Sequence, residues 1–169
     1  MSAYSNRLYD EGKFGERGVQ KMFPQKKKEE KIDSEIWELI QEIKAKGALS
    51  KTLTVDRINL PEGIGYKIGT KYAYNQGKSD DKQLNPNQLR KYFQQISQAN
   101  LKNSFEDKRN ELYKVLPQIA YAAGRKVCPK DFYKLMEVCI SKEAIVTEQD
   151  ITTLIDFLTA IVAYSKLGK

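Results

Sequence analysis

Lys114, Gln118, Tyr121 and Arg125 recur at helical spacing, so a helix carrying them presents one polar stripe. Two cations, an amide and a phenol on one stripe make an anion-binding surface. The same segment, LYKVLPQIAYAAGR over residues 112–125, places Leu112, Val115, Leu116, Ile119 and Ala123 on a second stripe. That spacing predicts a helix that buries one face and shows the basic, aromatic one beside it. Gly124 is expected to close the helix in the left-handed conformation. Pro117 removes one backbone donor and crowds the preceding turn, which predicts a kink or a break there.

The distribution of charge agrees with an anionic partner. The chain has 169 residues, a length that predicts one domain with a tail or insertion, and 29 Lys plus Arg against 22 Asp plus Glu, a net +7. Between residues 86 and 134 ten basic residues face four acids (Glu106, Asp107, Glu111 and Asp131), while the part after Lys134 is net acidic.

Other chemistry is excluded by residue type. The sequence holds no histidine, so no Ser-His-Asp triad, Cys-His pair, His metal ligand or imidazole acid–base catalyst is available. Cys128 and Cys139 cannot by themselves complete a zinc site, and are expected to be reduced and partly buried. Residues 63–69, GIGYKIG, superficially resemble a glycine-rich phosphate loop, but neither a clear strand before nor a helix after them completes a nucleotide-binding unit. No apolar leader or membrane-length run is visible, which predicts a cytoplasmic protein without a membrane partner.

Helices must position the basic stripe, and the pattern predicts an all-α protein: a helical bundle of about five helices. Residues 1–32 read as a flexible, mixed-charge N-terminal segment, either a solubilising tail or a basic arm that follows a phosphate backbone. Residues 33–169 read as the bundle, with an irregular insertion at about 49–84 that is either a central loop or a short hairpin. Asp33 or Ser34 caps the first helix, Ile36, Leu39, Ile40 and Ile43 form its apolar stripe, and Gly47 ends it. Trp37 lies beside that stripe. Asn85-Pro86 opens a second helix with Leu89, Phe93 and Ile96 inward and Arg90, Lys91 and Gln94 outside. Pro129 opens another with Phe132, Leu135, Met136 and Cys139 inward. Thr147 with Asp150 approximates a capping box before the most apolar helix, which carries Ile151, Leu154, Ile155, Leu158, Ile161 and Val162.

Three motifs stand in an order that resembles a known family. LNPNQLRKYFQQI (84–96), LYKVLPQIAYAAGRK (112–126) and ITTLIDFLTAIVAYSK (151–166) together resemble the small helical subunit of type III-A CRISPR effector complexes, the Csm complexes. The likeness rests on Leu89-Arg90, on Tyr121-Ala122-Ala123-Gly124-Arg125 and on Ala160-Ile161-Val162-Ala163-Tyr164, and covers about half of the chain. It implies a non-catalytic subunit, stacked in several copies along the guide RNA–target RNA duplex. The implied partners are both RNAs, further copies of itself, and other effector subunits including the backbone and large subunits. No cofactor or metal is implied.

The resemblance implies RNA-backbone contact by Arg90 and Arg125, which match the motifs, with Lys91, Lys114 and Lys126 as their neighbours. Phosphate contact by Lys and Arg suits recognition that must tolerate any target sequence. One departure is Gln118, where the family often has a lysine; that contact then falls to the uncharged amide or to Lys114. Two other functions fit the residues: a helical protein–protein adaptor whose basic face takes an acidic partner, and a metal-dependent nuclease using carboxylates such as Asp80 and Asp81. The acids form no visible convergent set, which sets the nuclease reading last.

Overall fold

The structure is a computed structural model and describes residues 31–168. The expected N-terminal tail or arm therefore lies outside the described residues, apart from its last two positions. The described residues are all-α, as the sequence predicts, with no strand among them. In chain order the helices are α1 (Ser34–Lys46), α2 (Leu49–Thr52), α3 (Val55–Asn59), α4 (Ile64–Lys71), α5 (Pro86–Ala99), α6 (Phe105–Tyr113), α7 (Leu116–Gly124), α8 (Lys130–Cys139) and α9 (Glu148–Tyr164).

α1 starts where the Asp33 carboxylate accepts the Glu35 and Ile36 N–H groups, at 3.1 and 3.4 Å. It ends at Gly47, whose φ of 77° needs a residue without a Cβ. Ile36, Leu39, Ile40 and Ile43 are all buried, whereas Trp37 is 49 % exposed. α5 is capped by Asn85, which accepts the Asn87 N–H at 2.9 Å, and has Pro86 in its first turn. Leu89 and Ile96 face the core as expected; Tyr92 joins them, and Phe93 is only partly buried.

Residues 49–84 correct the expectation of an irregular insertion or hairpin. They form α2, α3 and α4, followed by a 3-10 turn at Asp80–Lys82. The glycines of GIGYKIG lie on or next to α4, and Gly65 and Gly69 let it touch α9. A Cβ at Gly65 would stand 2.7 Å from the Ala160 Cβ and 2.4 Å from the Ile58 carbonyl oxygen. A Cβ at Gly69 would stand 2.8 Å from the Tyr164 Cβ and 2.9 Å from the Ile161 carbonyl oxygen. Tyr66 meets the Tyr164 ring edge-on at 5.2 Å, and the Tyr164 hydroxyl donates to the Asn59 carbonyl. The following loop is held by buried Gln83, which accepts the Asn75 N–H at 2.7 Å and donates to the Lys78 carbonyl at 3.0 Å.

The helical segment over residues 112–125 is broken at Pro117, as the proline predicts. Pro117 has no N–H for the Tyr113 carbonyl, so α6 ends at Tyr113 and α7 starts at Leu116 with the proline in its first turn. Leu112, Val115, Ile119 and Ala123 still share the core. At the far end of α7 the left-handed residue is Lys126, with φ 59°, and not Gly124. The Lys126 N–H reaches the Ala123 carbonyl and the Val127 N–H the Ala122 carbonyl, both at 3.0 Å, which is a Schellman ending with lysine at the usual glycine position.

α8 follows Pro129 and buries Phe132, Leu135, Met136 and Cys139 completely. Asp150, in the first turn of α9, is also fully buried. Its carboxylate accepts the N–H groups of Thr147 and Val146 at 2.8 and 3.0 Å, and both the N–H and the hydroxyl of Ser50 at 2.9 and 2.7 Å. One carboxylate thereby caps α9 and fastens α2 to it. Cys128 and Cys139 are free and buried more deeply than expected, and burial pushes both thiols up to about 12. They stay neutral at physiological pH and serve as core residues.

Candidate nucleic-acid interface

The polar stripe on and beside α7 has a counterpart. Lys114, Gln118, Tyr121 and Arg125 are spaced four, three and four residues apart, and so are Lys91, Gln95, Gln98 and Lys102 on and just after α5. The two stripes face one another across a groove. At its centre the Gln95 amide donates to the Gln118 side-chain oxygen at 3.0 Å. On one side of that bridge is a depression of about 400 Å³ lined by Lys91, Tyr92, Pro117, Gln118, Tyr121 and Arg125, among others. On the other side is one of about 320 Å³ lined by Gln95, Gln98, Lys102, Glu111, Lys114 and Gln118, among others. Lys91 thus lies opposite Arg125, and Lys102 opposite Lys114, so the stripes run in opposite directions.

The groove gathers cations from both of its walls. Several cations elsewhere are paired within the chain. Arg57 and Lys46 share Glu42 at 2.7 and 2.6 Å, and their hydrogen bonds hold its carboxyl down at about 2. Lys67 pairs with Glu35, Lys71 with Asp33, Lys108 with Glu148 and Arg109 with Glu106. Arg90, Lys91, Lys102, Arg125 and Lys126 have no such partner among the described residues. The reason lies in the chain: no acid occurs between Asp81 and Glu106, or between Glu111 and Asp131. Asp81 lies near enough to Lys126, and Glu111 to Lys102, for each cation to lower the carboxyl, but no carboxylate lines the Lys91–Arg125 end, where an incoming polyanion relieves the repulsion between cations.

Arg125 is also placed. Its guanidinium carbon lies 5.6 Å from the Tyr121 ring centroid, a cation–π contact one helical turn back, and Tyr121 is 66 % exposed. Lys114 differs from the other three groove cations because Glu111 holds its ammonium at 2.6 Å.

Of the five residues expected at the site, Lys91, Arg125 and Lys114 line the groove. Arg90 and Lys126 are exposed but line neither depression. Sequence reading missed Lys102 and the glutamines of the α5 wall, Gln88, Gln95 and Gln98. The signal was present in the shared four-three-four spacing of the two stripes. A third depression, about 490 Å³ between α1 and α8, is lined by Glu137, Glu143 and Lys44 with apolar neighbours, and its two acids suit an anion poorly. Among the described residues no three His, Cys, Asp or Glu side chains converge on a metal position.

The family model described as Csm2 Type III-A matches residues 66–169, well over half of the chain. The chain belongs to that family. As a Csm2 protein it is a small subunit of a type III-A CRISPR effector, in agreement with the resemblance carried by its three motifs. The Csm2 match contains α5 to α9 and hence the whole groove, while α1, α2 and α3 precede it. No curated protein and no solved structure matches the chain. No helix among the described residues is long and apolar enough to cross a membrane.

Proposed function

We propose that this Csm2 chain is a non-catalytic subunit that lies in several copies along the guide RNA–target RNA duplex and holds its sugar–phosphate backbone at the α5–α7 groove. The observation that carries the reading is the pairing of Lys91 with Arg125 across a groove whose walls contain no acid at that end. Arg125 forks onto phosphate oxygens while Lys91 supplies a mobile charge from the opposite wall. Arg90 and Lys126 extend the positive surface beyond the rim, and Lys114 serves the far end once its ammonium leaves Glu111. Backbone contact leaves sequence choice to base pairing, as a target-tolerant effector requires. The remaining partners in this reading are the backbone and large subunits and neighbouring copies of the chain, in the cytoplasm.

The test is RNA binding across a salt series, with the full chain alone and within a reconstituted type III-A assembly. Two RNA duplexes of unrelated sequence are expected to bind equally. Affinity is expected to fall about 10- to 1,000-fold between about 50 and 200 mM salt. Arg125→Ala should lower the slope of log K against log salt by about one. A salt-insensitive interaction, or one confined to an acidic protein partner, supports the adaptor function instead.

A further inference from the structure

Gly124 is a glycine that the chain itself does not require. It is helical, exposed and without a positive φ, and a Cβ built on it meets nothing within 4 Å. Gly65 and Gly69 differ in this respect, because a Cβ there would strike α9. The left-handed turn that ends α7 is made by Lys126, so Gly124 is not needed for the cap either. A helical glycine with open space around it is destabilising relative to alanine, so the space is expected to be used by something outside the chain.

Its neighbours indicate what approaches. Gly124 follows Tyr121 by three residues and directly precedes Arg125, so the bare turn adjoins the cation–π pair at the basic end of the groove. Lys126 flanks it on the other side, and no acid lies within residues 112–130. An anionic chain drawn to Arg125, Lys91 and Lys126 passes over this turn. We propose that the sugar–phosphate backbone of bound RNA packs directly on the α7 main chain at Gly124, and that the missing side chain is a binding feature. The inference rests on the RNA-backbone reading above and specifies where contact is closest. Without a Cβ, the ribose and phosphate come within van der Waals reach of the peptide, which brings a phosphate oxygen to the Arg125 fork.

The experiment compares Gly124→Ala, Gly124→Val and Arg125→Ala with the parent chain, each in a reconstituted type III-A assembly, using a labelled RNA duplex of arbitrary sequence. Gly124→Ala should raise the Tm of the isolated chain by about 2–4 °C, because alanine favours the helix and meets no neighbour. The same substitution should weaken RNA binding by about tenfold, and Gly124→Val by more, since each added atom overpacks the contact. A chain more stable yet weaker in RNA binding supports the proposal. If Arg125→Ala loses RNA while both Gly124 variants bind normally, the close approach is overturned and the RNA reading survives. If none of the three affects RNA binding, both fail. If Gly124→Ala spares RNA but prevents association with a second copy or another subunit, the turn receives protein and the proposal is overturned.

Discussion

The Arg125 guanidinium stacks over the Tyr121 ring, 5.6 Å from its centroid, on the wall of the groove that faces Lys91. An exposed arginine samples many rotamers, and the ring restricts it to those that aim into the groove. Tyr121→Ala should therefore weaken RNA binding without removing a charge, by about two- to fivefold. The salt slope should stay unchanged, which separates it from Arg125→Ala. Tyr121→Phe keeps the ring face and should bind nearly as the parent does, as titration with labelled RNA would show.

Asp150 makes stability depend on acid. Burial pushes its carboxyl up, but the hydrogen bonds from Ser50, Thr147 and Val146 outweigh that and hold it below the usual 3.8. A group with a depressed folded-state pKa adds stability above its unfolded value, and loses it as pH falls through the folded one. The contribution is complete at neutral pH and begins to be lost as pH falls below about 4. Asp150→Asn leaves buried N–H donors facing an amide and should cost about 2 kcal/mol, or about 4–8 °C in Tm at pH 7. The deficit should shrink in thermal melts as pH is lowered.

Much of this fold is legible because its helix ends are local. Asp33, Asn85 with Pro86, Pro129 and Thr147 with Asp150 each act within a few residues of their own helix, and each does what its type predicts. α4 was illegible for the opposite reason. Its glycines lower helix propensity, and what makes the helix form is α9, some 95 residues away in the chain, whose Ala160 and Tyr164 need the space. The site divides in the same way. The α7 stripe follows from helical spacing alone, whereas its relation to Lys91 and Lys102 depends on how α5 packs. Arg90 shows the limit: it neighbours Lys91 in sequence but sits about 100° round the helix from it, outside the groove.

The α4–α9 contact gives a sharp packing prediction. Gly65→Ala puts a methyl against the Ile58 carbonyl and the Ala160 Cβ, neither of which is the end of a flexible side chain. It should destabilise the fold by about 2–3 kcal/mol in urea unfolding, with an unchanged m-value.

Lys126 trades stability for charge. A lysine at φ 59° costs about 1 kcal/mol that glycine would not, so Lys126→Gly should raise stability by about 0.5–1 kcal/mol. It should also weaken RNA binding slightly and reduce its salt slope, because one rim cation is gone. Thermal melts and a salt titration on the same protein check both halves.

On the proposed function, the groove between α5 and α7 touches RNA. A photo-cross-linking residue placed at Gln118, in the centre of the groove, tests it within the assembled effector. Cross-links to the RNA backbone are expected at positions that recur regularly along the duplex, independent of base identity, and weakened by Lys91→Ala with Arg125→Ala. Cross-links to protein alone would contradict it.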